Sequence, residues 1–148
     1  MKNNEEGKDI LIKTFLDNFI KKNKRERSYF ELKNQKKRKK FVDRLNHNWN
    51  DIFEMKHLKE IVQSNDVENI KKQLKFREGD ICYVISNYVE YDNKYFSFNE
   101  ILEKIYWGGL GTILLNITGN ILFLVTGQER GTSLKFVGKN YCNMVVKR

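Results

Sequence analysis

The segment ILLNITGNILFLV, residues 113–125, decides the fold because it is the longest apolar stretch of the chain and because polar residues and a glycine interrupt it. Asn116, Gly119 and Asn120 divide the segment into two short runs rich in leucine and isoleucine. Asn and Gly are favoured in the turns that join antiparallel strands. Each run is too short to span a bilayer. The segment therefore predicts a β-hairpin with its turn at Gly119-Asn120.

The pattern extends in both directions from this hairpin and predicts a larger sheet. Upstream, β-branched and aromatic residues predict a strand within DICYVISNYV, residues 80–89. Ser97 and Glu100 match a capping box that opens a helix, and Gly108 can close it. Four more strands are predicted. The first runs from Thr112 to Thr118, and the second follows the Gly119-Asn120 turn and ends at Thr126. After a turn at residues 127–131, the last two lie near residues 134–137 and 141–146.

The first half of the chain has the period of helices. Residues 9–22 repeat apolar side chains at i, i+4 spacing, which predicts an amphipathic helix. A basic connector, KKNKRER at residues 21–27, leads to a second helical pattern with six residues on one apolar face. These six are Phe41, Val42, Leu45, Trp49, Ile52 and Phe53. A third, shorter helix is predicted from Asp66, a suitable N-cap residue.

Helices that precede a sheet, without βα alternation, are typical of an α+β fold. We expect N-terminal helices followed by a mainly antiparallel sheet of four to five strands with one inserted helix. A chain of 148 residues fits one domain. The predicted domain spans residues 1–148, with a basic helical half at about 8–75 and a sheet half at about 80–148.

Positive charge is concentrated in one segment. Residues 21–44 contain twelve lysines or arginines and three acidic residues, so this segment carries +9, the net charge of the whole chain. Such a concentration favours a polyphosphate partner. A solvated basic surface is the alternative, since the chain is rich in Lys and Asn throughout, and a membrane surface is a third. The predicted nucleic-acid-binding residues are Arg25, Arg27, Lys36, Lys37, Arg38, Lys39 and Lys40.

Cys82 and Cys142 form no CxxC motif and have no nearby histidine, which indicates neither a zinc site nor a redox motif. No carboxylate pair has the spacing of metal ligands, so no metal or cofactor is expected. The polar N-terminus MKNNEEGKDI lacks the apolar core of a secretory signal. These features predict a cytoplasmic protein.

His47 is the histidine with the clearest setting for chemistry. On the predicted helix it shares a polar face with Lys36 and Lys40, opposite the apolar residues. A neutral imidazole can act as a general base, and neighbouring cations can hold a phosphate and stabilise developing charge. Metal-independent RNA cleavage requires such a set. The alternative is an ordinary exposed histidine.

The string CYVIS, residues 82–86, followed about 25 residues later by Gly111-Thr112, resembles a group of small uncharacterised bacterial proteins. The N-terminal half is similar to the same group at six positions. This resemblance implies a bacterial cytosolic domain and carries no activity, because the group has no established functional residues. The six positions are Arg25, Arg27, Arg38, Phe41, Leu45 and His47.

A basic helical half that bears a histidine, followed by a four-stranded antiparallel sheet, is similar in layout to the barnase, colicin and RelE-like ribonucleases. The similarity implies roles rather than identities. It makes His47 the base, Lys40 or Arg44 the phosphate-binding cation, and assigns one further group to the sheet. That group would be Thr112, Ser86 or Arg130.

These patterns predict a small basic protein that engages nucleic acid, RNA in preference to DNA, through residues 21–44. Its catalytic form would be a metal-independent ribonuclease of toxin or defence type. The alternative is a protein-interaction module, such as an immunity-like or accessory subunit, that docks on an acidic partner.

Overall fold

A computed structural model describes residues 2–61, 70, 72, 79–127 and 133–139. Its helices are α1 (Lys2–Phe19), α2 (Arg25–Lys33), α3 (Arg38–His47), α4 (Trp49–Ile52) and α5 (Phe98–Ile105). Its strands are β1 (Leu58–Glu60), β2 (Ile81–Ser86), β3 (Lys94–Ser97), β4 (Thr112–Asn116), β5 (Ile121–Val125) and β6 (Lys135–Lys139). Short 3-10 turns lie at Lys22–Lys24 and Met55–His57.

The strands form one sheet in the order β1-β6-β5-β4-β2-β3, and all neighbouring pairs are antiparallel. With four helices before the sheet and α5 inserted between β3 and β4, the predicted α+β class is confirmed. The described residues contain six strands instead of four to five. β1, inside the half predicted to be helical, and β3 were missed because both are short edge strands with largely exposed residues. The strand predicted near residues 141–146 lies outside the described residues.

The predicted hairpin is formed by β4 and β5, which pair in register from Thr112 with Val125 to Leu115 with Leu122. β4 ends at Asn116, earlier than the predicted Thr118. Gly119 lies in the turn with φ +79°, and a Cβ there would stand 2.9 Å from the carbonyl oxygen of Leu11. Glycine is therefore required both by the backbone angle and by the close approach of α1.

Helices cover both faces of the sheet, which explains why β4 and β5 are apolar without alternation. One core joins the N-terminal helices to Tyr83, Ile85 and their neighbours on one face. The other core joins α5 to Cys82, Val84 and their neighbours on the opposite face. Successive residues of a strand therefore enter different cores.

The helical half departs from the prediction in three places. α1 ends at Phe19, before the predicted residue 22. A helix that was not predicted, α2, begins inside the basic connector at Arg25 and continues to Lys33; its apolar stripe is too narrow for the helical period to be recognised. The long second helix is divided at Asn48 into α3 and α4, because α4 turns back to hydrogen bond with the end of α1 (Lys21 N to Ile52 O, 2.9 Å).

The inserted helix α5 begins after Ser97, as predicted, but the hydroxyl of Ser97 makes no capping hydrogen bond. The N–H of Phe98 donates to the carbonyl of Asp80 instead, at 2.7 Å. The helix predicted from Asp66 falls mostly outside the described residues. Within the part of the chain that the structure describes, no helix is both long and apolar enough to cross a membrane.

Candidate nucleic-acid interface

Most cations of residues 21–44 have partners inside the protein. Arg25 is one: its Nε donates to the carbonyls of Leu16 (3.0 Å) and Ile20 (2.9 Å), and its Nη2 donates to that of Asp17 (3.0 Å). These carbonyls lie at the C-terminal end of α1, where a helix runs out of N–H donors, although the Leu16 carbonyl also accepts from Ile20 N at 3.1 Å. Arg25, predicted to bind nucleic acid, therefore caps α1.

Arg44 and Arg27 meet on a buried acid. Both Nη atoms of Arg44 donate to the carboxylate of Glu31, whose side chain is only 3% exposed. The Nε of Arg27 lies 3.2 Å from the same carboxylate, but the Arg27 side chain stays 69% exposed. A bidentate pair of this kind fixes the guanidinium. Arg44 thus joins α3 to α2, whereas Arg27 can still contact an external anion.

Arg38 is placed inside the protein and not on the predicted binding surface. Its side chain is 3% exposed, and its Nε lies 2.7 Å from Asp92 Oδ2. Its Nη1 donates to the carbonyl of Leu32 at 3.1 Å. The burial of Arg38 could have been predicted from the sequence. Arg38 lies four residues before Val42 and seven before Leu45, and therefore on the apolar side of α3.

The twelve cations of residues 21–44 differ in whether an acidic side chain of the protein pairs with them. Apart from Arg25, which caps α1, five of the twelve cations have side chains in no ion pair within the part of the chain that the structure describes: Lys21, Lys22, Lys36, Lys37 and Lys40. Six others are ion-paired, namely Lys24 with Asp51, Arg27 and Arg44 with Glu31, Lys33 with Asp9, Arg38 with Asp92, and Lys39 with Asp43.

Four of these side chains define what we call the cationic surface: Arg27, Lys36, Lys37 and Lys40. They lie on α2, on the turn between α2 and α3, and on the first turns of α3, and the two helices pack against each other. Lys36 and Lys40 are exposed and Lys37 is half-buried. Lys39 is 82% exposed but pairs with Asp43 at 3.5 Å, one helical turn further along α3.

An exposed aromatic ring adjoins the cationic surface. Phe30 is 56% exposed on the outer side of α2. It lines an open depression of about 820 Å³ together with Arg27, Asn34 and Gln35. An exposed ring beside cations suits base stacking with phosphate contact.

The neighbouring Tyr29 has a different role. Its hydroxyl donates to Asp9 Oδ1 at 2.6 Å, and Lys33 pairs with the same carboxylate at 3.1 Å. The Tyr29 hydrogen bond, with help from Lys33 and Lys13, lowers the pKa of Asp9 to about 2. The same bond raises the pKa of Tyr29. Tyr29 and Lys33 thus attach α2 to α1.

The proposed catalytic groups are not assembled into one exposed site. His47 is exposed at the last residue of α3. Thr112 is fully buried, and its hydroxyl lies 2.8 Å from that of Ser86, which is 2% exposed. Asn46 brings the end of α3 close to β4 by accepting a hydrogen bond from Gly111 N at 2.6 Å, yet the two hydroxyls face inward. Arg130 lies outside the described residues.

The polar residues that organise this region were missed from sequence. Glu31, Asp92 and Asn46 hold the cations and the end of α3, and Asn87 donates from Nδ2 to the carbonyl of Val42 at 2.7 Å. Glu31 had one visible signal, its i, i+4 spacing from Arg27. Asp92 and Asn87 had none, because their partners on α3 are distant in sequence.

Among the described residues, no group of three or more His, Cys, Asp or Glu side chains could hold a metal ion. Burial raises the pKa of Cys82 to about 12, so its thiol is not a nucleophile. No protein-family model matches the chain, and no curated protein or solved structure matches it either. Both resemblances stated above remain hypotheses.

Proposed function

We propose that this protein binds single-stranded nucleic acid, RNA in preference to DNA, through the cationic surface and Phe30. The observation that carries the proposal is an apolar ring, 56% exposed, that lines a depression together with Arg27. The turn after α2 and the start of α3 add Lys36, Lys37 and Lys40, which take part in no ion pair among the described residues. Lysines without internal partners are available to replace counterions on phosphates.

The exposed ring favours single strands. A ring on a convex helix face can stack on an unpaired base, with a gain of about 1–3 kcal/mol for each base. A duplex does not offer that face. RNA is the favoured partner because cellular RNA presents unpaired bases in loops, bulges and ends.

The geometry supports binding more than cleavage. A ribonuclease centred on His47 needs a second group that reaches the phosphate, and Thr112, Ser86 and Arg44 are buried or paired. Lys40 remains exposed on the same face of α3. Cleavage therefore stays a hypothesis, to be tested in the same experiment.

The test is fluorescence anisotropy with a labelled single-stranded RNA, the matching duplex and a salt series. Four phosphate contacts give a salt slope of about −3 on logarithmic axes, or roughly a 50-fold loss of affinity between about 50 and 200 mM salt. The triple variant Lys36→Gln/Lys37→Gln/Lys40→Gln should reduce the slope to about −1, because only Arg27 remains.

A matched control carries the same charge change elsewhere, at three exposed lysines: Lys56→Gln/Lys59→Gln/Lys104→Gln. Equal losses in both triple variants would show that net charge alone drives binding, and the proposal would be wrong. Absence of RNA binding at low salt would favour docking on an acidic protein. Cleavage that persists in EDTA and is lost in His47→Ala would add the catalytic role.

A further inference from the structure

A second site lies on the other side of α3, where a cavity of about 380 Å³ separates the start of this helix from the connection between β2 and β3. Arg38 and Val42 form the helix side. Ser86, Asp92 and Asn93 form the opposite side. A cavity of this size can hold a small molecule.

Arg38 contributes an unsatisfied donor to this cavity. Its Nε and Nη1 bond to Asp92 and to the carbonyl of Leu32, but its Nη2 is buried without a hydrogen-bond partner in the described part of the chain. The guanidinium carbon lies 5.7 Å from the centre of the Tyr83 ring, which forms a cation–π contact with Arg38. Buried donors are nearly always satisfied, so an exception calls for a bound water, an ion or a ligand.

The walls of the cavity are held in place by the protein. Asp92 binds Arg38 with one oxygen and accepts from Ser86 N with the other, at 2.8 Å. Asn93 has φ +61°, a strained angle for a residue with a side chain, and Tyr83 donates to its Oδ1 at 2.6 Å. Strained residues held by their surroundings are frequent at ligand sites. The site is therefore built before a ligand arrives.

The charges around the cavity favour an anion. Asp92 neutralises Arg38, and Lys39 and Lys94 are the other charged lining residues. Lys39 also pairs with Asp43 at 3.5 Å, but that pair is largely exposed and therefore weak, so an anion can compete for the lysine. The positive end of the α3 dipole lies at the same place, since α3 begins at Arg38. Val42 and Val89, the latter 85% exposed, add apolar wall.

We propose that this cavity binds a small molecule that carries an oxyanion, a phosphate or a carboxylate, next to a short apolar part. The oxyanion accepts from Arg38 Nη2, and Lys39 and Lys94 attract it to the rim. This site is distinct from the proposed RNA interface, because Arg38 and Val42 lie on the face of α3 opposite to Lys40, and neither Lys36 nor Lys40 lines the cavity.

The test is a two-dimensional amide NMR titration of the full chain with inorganic phosphate and, separately, with acetate, at constant ionic strength. We expect saturable shifts in residues 86–94 and at Arg38, with a dissociation constant of about 1 mM for the preferred anion. Saturation by phosphate alone identifies a phosphate ligand, and saturation by acetate alone a carboxylate ligand.

Arg38→Ala removes a buried ion pair and can unfold the protein, so the deciding variant is Lys39→Gln/Lys94→Gln at the exposed rim. It should weaken binding about tenfold. The matched control Lys36→Gln/Lys40→Gln changes two exposed lysines that do not line the cavity, and should leave binding unchanged. Shifts spread over all lysines, shifts lost only in the control variant, or no saturable shift with either anion would overturn the proposal.

Discussion

The two faces of α3 carry the same kind of side chain and use it in opposite ways. On one face Arg38 is 3% exposed and tied to Asp92, with Val42 and Asn46 following it along the helix. On the other face Lys40 and His47 are exposed. The comparison teaches that a cluster of positive charge in a sequence overstates the charge that a partner can reach.

Distance along the chain explains why the two faces are hard to tell apart from sequence. Asp92 is 54 residues from Arg38, and Glu31 is 13 residues from Arg44. Neither pair follows the i, i+4 spacing that marks ion pairs within a helix. The acids that neutralise α3 come from other elements.

The largest expected effect is on stability, and it differs between substitutions on the two faces of α3. Arg38→Ala leaves the Asp92 carboxylate and the Leu32 carbonyl without their donor, and should lower the free energy of unfolding by about 3–5 kcal/mol. Lys40→Ala removes an exposed side chain and should leave it unchanged. Urea denaturation measures both.

A double variant sharpens this comparison. Arg38→Met/Asp92→Leu replaces the pair with apolar groups and should recover much of the loss, because the buried charge is removed together with its partner. Equal stabilities of Arg38→Ala and Lys40→Ala would contradict the assignment of the two faces.

The next effect concerns Glu31, which holds two cations of the basic segment. Glu31→Gln should cost about 2–3 kcal/mol of stability, because Arg44 loses its charged partner in a partly buried place. It should also raise RNA affinity severalfold in the folded protein, since Arg27 and Arg44 become available. Denaturation and anisotropy on the same sample test both parts, and weaker RNA binding by the folded variant would speak against the interface.

Phe30→Ala should change binding without changing stability. The affinity for single-stranded RNA should fall by about 1–2 kcal/mol, whereas duplex binding and the unfolding midpoint stay as they were. Trp107, 62% exposed on the loop after α5, supplies a matched control. If Trp107→Ala weakens RNA binding as much as Phe30→Ala does, the ring is not specific to the interface.

The smallest effect concerns Asp9, which removes Lys33 from the available charge. Its pKa is lowered from 3.8 to about 2, so its stabilisation is complete above about pH 4 and is lost as the pH falls through about 2. Because this carboxylate is partly exposed to solvent, the contribution is about 1 kcal/mol. Asp9→Asn should flatten the acid limb of a stability profile between about pH 5 and pH 2, and an unchanged limb would show that Asp9 is not its source.

Much of the fold could be predicted because it depends on local patterns. The apolar runs around Gly119 predicted a hairpin, and the period of residues 9–22 predicted a helix. The same reasoning failed for α2 and for the edge strands β1 and β3, where few residues are buried and the period is weak. Their conformations depend on neighbours that are distant in the sequence.

The sequence by itself determined the class of fold, the inserted helix after Ser97 and the location of the excess charge. The tertiary structure alone decided that Arg25 caps α1, that Arg38 enters a cavity and that Arg44 binds Glu31, and so which cations remain for a partner. The physical reason is that hydrophobic period is a property of neighbouring residues. The availability of a charge depends instead on burial and on partners that only the packed chain brings within a few ångströms.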